Sequence, residues 1–238
     1  MDLVGDEQSP PLHPFLFGSK PSDFSLAEMT VDENEKIGSA GAFKTCYFAR
    51  LEPDSTNPNP NSLLRLDRDS QIVAKRMFYR DSDPEQVGLG RKKRYSHMSE
   101  MQQTLTEARN LQWASALMKV VQDHVDTALA RREWATLGQP YPQVRFVHAA
   151  IAQTTDASKT FLIEERIPGT FVKYISNSSP QPVEGLSADE RKLAEYFCFC
   201  QHLQYLLTGK EFFLSDFQGK HILARLSDMV PDAHLCHR

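Results

Sequence analysis

The stretch Glu211-Phe212-Phe213-Leu214-Ser215-Asp216-Phe217-Gln218-Gly219 passes from an apolar run into a carboxylate, a carboxamide and a glycine. Read as a strand over Phe212 to Ser215 that continues into a polar end, its period of two sets Asp216 and Gln218 on one face and Phe217 on the other. Two hard oxygen donors side by side suit a cation such as Mg2+ that also holds phosphates. A strand running into a plain polar turn has the same composition, so the segment takes its meaning from what precedes it.

Immediately upstream, Ser187-Ala188-Asp189-Glu190 has the form of a capping box, in which serine and glutamate each satisfy an open backbone donor. The helix it starts carries Leu193, Phe197, Leu203 and Leu207, with Cys198 and Cys200 as small core residues and His202 among them. Before it, Phe161 to Tyr174 runs as a strand, turns at Pro168-Gly169 and resumes extended; such a hinge can offer backbone N–H and C=O groups to a planar base. Strand composition marks Val144 to Ile151, Thr160 to Glu165 and Phe171 to Ile175. A long helix is predicted from Met98 to Arg132, with Leu111, Ala114, Met118, Val121, Val125 and Leu129 in one stripe.

Further toward the N-terminus, Phe43 to Leu51 and Ile72 to Phe78 read as strands. Lys75 shares a face with Val73 and Met77, and an ammonium on apolar surface wants an anionic partner; Glu107 on the long helix is the candidate. In Ile37-Gly38-Ser39-Ala40-Gly41-Ala42-Phe43-Lys44, Gly38 and Gly41 let backbone N–H groups approach an anion and Lys44 adds charge at that mouth, although an ordinary turn uses the same glycines. Arg91-Lys92-Lys93-Arg94 reads as a nuclear-import or phosphate-binding patch, or as a solvated approach to the long helix. Polar loops cover Glu52 to Asn61, Tyr79 to Gly90 and Ser176 to Gly185, and residues 1–29 form a flexible leader. Strands, a long helix, more strands, a second helix and a last strand make an α+β protein with a cleft between two layers.

Composition sets outer limits. The chain has 238 residues, with 27 Lys+Arg against 31 Asp+Glu for a net charge of -4, which argues against a general nucleic-acid binder. No apolar run reaches the ~20 residues of a membrane span, and the N-terminus lacks a secretory pattern. The scattered Cys46, Cys198, Cys200 and Cys236 fit a reducing compartment, hence an intracellular protein, cytoplasmic or nuclear.

The order of these blocks resembles the alpha-kinases, the atypical protein kinases that include myosin heavy chain kinase and elongation factor 2 kinase. Ile37 to Lys44 is similar to their phosphate loop, Val73-Ala74-Lys75 to their nucleotide-lysine strand, and Glu164 to Tyr174 to their hinge with its Gly-x-Phe-Val-Lys-Tyr segment. Gln201 to Tyr205 and Leu214 to Gly219 resemble the late helix and Asp-x-Gln-Gly strand. The resemblance implies a two-lobed, protein-kinase-like fold over residues 30–219, with a β-rich N-lobe over about 30–163 and a mixed C-lobe from about 167. It implies an ATP- and Mg2+-dependent Ser/Thr kinase acting on a protein substrate, with Gly38, Gly41, Lys44, Lys75, Glu164 and Arg166 binding ATP. Asp216 and Lys75 would be catalytic, and Asp216 and Gln218 would hold Mg2+.

The likeness breaks after Gly219. The family continues with a Leu-Thr-Asp-Pro-Gln type segment, whereas this chain has Lys220 to Val230, in which Asp228 is an offset counterpart. The family's zinc site uses a late-helix His, matched here by His202, and a downstream His-x-Cys with a further Cys. His234-Leu235-Cys236 has that form without a later Cys, and four-coordinate zinc needs four ligands, so no complete zinc site is expected. Residues 220–238 read as a divergent tail. The alternative reading is an impaired, pseudokinase-like nucleotide-binding or interaction module.

Overall fold

The computed structural model describes residues 27–37, 43–53, 71–81, 90–131, 142, 144–167, 169–219 and 229–231. The glycine stretch 38–42, Asp228 and the His234-to-Cys236 segment lie outside the described residues.

Alternating small and branched residues build an antiparallel sheet from β1 (Ala27–Lys36), β2 (Lys44–Pro53), β3 (Gln71–Met77), β6 (Ala149–Gln153) and β7 (Thr160–Glu165), in the order β1-β2-β3-β7-β6. On one face Ala49, Ile72, Ala74, Phe161 and Ile163 cluster with half-buried Met29, Val31, Leu51, Ala150 and Ala152. The register sets Cys46 and Leu162 opposite Lys75, so these three project from the other face.

Part of that second face is covered by α1 (His97–Ala130). Ser96 caps it through its side chain to the Ser99 N–H. Buried Glu100 then ties its first turn to the sheet, accepting from Arg76 Nε at 2.7 Å and from the Thr160 N–H at 3.2 Å. Ala108 and Leu111 pack on Leu162, while Ala114, Leu117, Met118, Val121 and Val125 join a second core built on α2 (Ala188–Leu207). The inward stripe ends at Ala128, which is buried, rather than at Leu129, which is exposed.

The second core also packs a small sheet of β8 (Val172–Lys173), β9 (Phe217–Gly219) and β10 (Met229–Pro231), in the order β10-β9-β8. Phe217 stacks on Phe197 of α2 with centroids 4.5 Å apart. The expected capping box is present: Ser187 accepts from the Glu190 N–H and Glu190 from the Ser187 N–H. A third, two-stranded ribbon pairs β4 (Tyr79–Arg80) with β5 (Lys92–Lys93). Among the described residues, no helix is long and apolar enough to cross a membrane.

Three strand expectations are corrected. The stretch expected as a strand from Val144 to Ile151 becomes regular only at Ala149, and that expected from Phe171 to Ile175 is reduced to Val172–Lys173 plus a bridge from Ile175 to Pro182. Phe212 to Ser215 is no strand; regular pairing begins at Phe217, because Asp216 adopts a φ of 61. Conversely, β1 begins at Ala27 inside the stretch read as leader, and β10 lies beyond Gly219.

Candidate active site

Lys75 and Glu164 project from the same sheet face as diagonal neighbours, since Lys75 is opposite Leu162 and Glu164 opposite Val73. Their Nζ and Oε2 atoms are 2.7 Å apart, with the carboxylate side chain only 2% exposed and the lysine 12%. Burial at this level penalises an unpaired charge strongly, so each group needs the other as its partner. The pairing of Lys75 with Glu107 is therefore a misassignment. Glu107 instead receives a hydrogen bond from Lys44 Nζ at 2.7 Å, Lys44 being two residues before Cys46 on the same sheet face as Lys75. Two ammonium groups thus stand on one face of the sheet, each steered by a carboxylate from a different element.

Arg166 follows β7 beyond its last ladder pair, Ile72 with Glu165, and its guanidinium lies 4.6 Å from the Phe48 ring centroid. Glu164 is hemmed in by both neighbouring strands, opposite Val73 on one side and Ala149 on the other. Next to it in the chain, Arg166 and Ile167 lie beyond the regular ladder.

The C-terminal half holds Asp216. Its backbone is left-handed, which costs a non-glycine residue of order 1 kcal/mol and persists only where neighbours over-determine it. Those neighbours are identifiable. Gln201 Nε2 donates to Leu214 O at 2.6 Å and the Leu214 N–H donates to Gln204 Oε1 at 2.8 Å, so two glutamines of α2 clamp the backbone of one residue on both its sides. Ser215 Oγ donates to Ser176 O at 3.1 Å, and the Tyr174 N–H donates to Phe217 O at 2.8 Å. Sequence reasoning quoted both glutamines only as part of a motif; their role depends on which backbone faces them, which no periodicity reveals.

Asp216 is 5% exposed. Lys173 Nζ stands 2.6 Å from its Oδ1. That approach is poorly aligned, and Oδ1 receives no directed hydrogen bond. Lys173 itself is nearly half exposed and opposite Gln218 across the β8–β9 ladder. A buried carboxylate oxygen without an aligned donor, beside a carboxamide, matches the hard-oxygen set that a small divalent cation takes together with phosphates and water. Among the described residues no group of three or more His, Cys, Asp or Glu could hold a metal ion, and His202 is exposed on α2.

Beneath this site the core is largely apolar. Desolvation pushes the Tyr174 hydroxyl up to about 12, and its oxygen has no hydrogen-bond partner. Burial likewise pushes the Cys200 thiol up to about 12, which makes it a core residue and a poor nucleophile.

Among solved structures, the chain is similar to an alpha kinase from Entamoeba histolytica, at 14% identity over 88% of this chain and 65% of that chain, with a TM-score of 0.50. It is also similar to the alpha-kinase domain of myosin heavy chain kinase A complexed with ADP, at 15% identity over 85% of this chain and 73% of that chain, with a TM-score of 0.46. A comparison with curated proteins finds no match. The architecture, a β-rich part joined by a long helix to a mixed α+β part, is that of an alpha-kinase domain. The sequence matches the alpha-kinase family over residues 39–231, and the chain belongs to that family.

Proposed function

We propose that this chain is an ATP- and Mg2+-dependent protein kinase that transfers a γ-phosphoryl group to Ser or Thr of a protein, using a kinase domain spanning about residues 30–219. The observation that carries the reading is the buried Asp216 carboxylate, held in a left-handed turn by the α2 glutamines with one oxygen lacking an aligned donor. Phosphoryl transfer asks a protein mainly for positioning and charge neutralisation, and this chain supplies groups for both.

Lys44 and Lys75 offset phosphate charge, with Glu107 and Glu164 holding each ammonium in position. Gly38 and Gly41 bring backbone N–H groups to the phosphates. The backbone near Glu164 and Arg166 holds the adenine. Asp216 orients the attacking hydroxyl and accepts its proton, and with Gln218 it would hold Mg2+. When bound, that ion would supply neutralisation of phosphate charge.

The test is transfer of label from γ-labelled ATP to a mixed protein substrate, run beside a direct ATP-binding measurement. Binding and transfer in the parent chain, with transfer alone lost in Asp216→Asn, are the expected results. ATP binding without any transfer by the parent chain would overturn the reading in favour of an interaction module.

A further inference from the structure

The run Arg91-Lys92-Lys93-Arg94 serves none of the roles above. It enters the β4–β5 ribbon, which closes because Gly90 has no side chain: a Cβ there would stand 1.7 Å from Asp81 O. The two faces of this ribbon differ in charge. On one face, Lys93 pairs with Asp81, and Tyr79 contacts Tyr95. On the other, Arg80 and Lys92 are direct cross-strand partners.

Like charges placed opposite each other cost a ribbon stability. These two are tolerated partly through the Phe78 ring, with Lys92 Nζ 4.6 Å and Arg80 Cζ 5.8 Å from its centroid. Among the described residues no carboxylate pairs with Arg80, Lys92, Arg91 or Lys36. Desolvation, followed by the cations Arg80, Lys36 and Arg94, holds the Lys92 ammonium below the usual lysine range. Arg94 is already committed, donating to Tyr47 Oη at 2.6 Å and Met77 O at 3.0 Å, so it adds field without being available as a contact. The outer edge of β5 carries no strand among the described residues.

We infer that this face of the β4–β5 ribbon docks an acidic, extended segment of a protein partner, its carboxylates meeting Arg80, Lys92 and Lys36 and its backbone lying along β5. The inference does not depend on the proposed activity. An open strand edge offers main-chain hydrogen bonds to an extended peptide, and alternate side chains then face the cations. Nucleic acid fits less well. The one ring on this face, Phe78, is buried beneath its cations and offers no stacking platform, and the chain's net charge of -4 opposes a longer polyanion.

The experiment is fluorescence anisotropy of a short labelled peptide alternating Glu and Ser, titrated with the full chain at low and high salt. Binding should weaken steeply with salt and fall on the order of tenfold in the Arg80→Gln, Lys92→Gln double variant. Lys93→Gln, on the opposite face, should bind like the parent. Because the double variant removes a repulsion, its thermal midpoint should be unchanged or higher, which separates lost docking from lost fold. Three results would overturn the inference: binding insensitive to salt, equal loss in Lys93→Gln, or tighter binding of a single-stranded oligonucleotide of the same charge.

Discussion

Of the ion pairs in the candidate site, Lys75–Glu164 and Lys173–Asp216 are built on opposite plans. Lys75 and Glu164 sit on paired strands, both largely buried, so each side chain is held in place by the other. Asp216 and Lys173 are unequal: the acid is buried in a strained turn, while the lysine is nearly half exposed and approaches out of line. A pair locked by a ladder works as a fixture. A pair with one mobile member can exchange partners, which is what a carboxylate meeting a substrate hydroxyl or a cation needs.

The sharpest way to break this contrast is at the unequal pair. Asp216→Asn keeps the shape and removes the charge, and phosphoryl transfer measured with labelled ATP should drop on the order of a hundredfold or more. At the fixture the effect is on stability. Glu164→Gln leaves Lys75 with no charge partner, and urea unfolding should show a loss of about 3 kcal/mol.

The clamp beneath Asp216 comes next. Gln201→Leu or Gln204→Leu leaves a buried carbonyl or N–H of Leu214 without its partner, at a cost of about 1–3 kcal/mol. If the clamp aims Asp216, kcat should fall with the KM for ATP unchanged, an effect that loosened packing alone does not produce selectively. The smallest effect concerns the floor of the site. Tyr174 has its hydroxyl pushed from 10.0 to about 12 and Cys200 its thiol from 9.0 to about 12, so the fold favours both protonated forms. The unfolded chain ionises first, so their contribution is intact below pH 9.0 and is lost as pH rises toward about 12. Tyr174→Phe should reduce that alkaline loss and slightly raise the neutral-pH thermal midpoint, because it deletes a buried hydroxyl without a partner.

What could be seen in the sequence follows from how local each feature is. The strand over Thr160 to Glu165 and the capped start of α2 were readable because alternation and a capping box are encoded within a few residues. The acidic run in β1 obscured a strand whose hydrophobic residues packed on the core, among the described residues, are Met29 and Val31. Lys75 was identified as a lysine in need of a carboxylate, yet the right one lay on β7; strand register is a long-range property, and the helix position of Glu107 offered an equally plausible partner. Asp216 and Gln218 stand out in the sequence as a carboxylate and a carboxamide, but the turn between them and the preceding apolar run does not. The left-handed backbone of Asp216 is imposed by Gln201, Gln204 and Ser176, which come from elsewhere in the chain. The family match adds what residue patterns alone could not: that these separate fragments belong to one known arrangement.

One element belongs to both halves. The 34 residues of α1 form a single rod about 50 Å long whose first turns grip the sheet and whose later turns lie in the core with α2. With no loop to act as a hinge on that side, rocking of the sheet against the rest must either bend the rod or pivot about it. Melting either end strips contacts from the other, so thermal denaturation should register as one cooperative step instead of two.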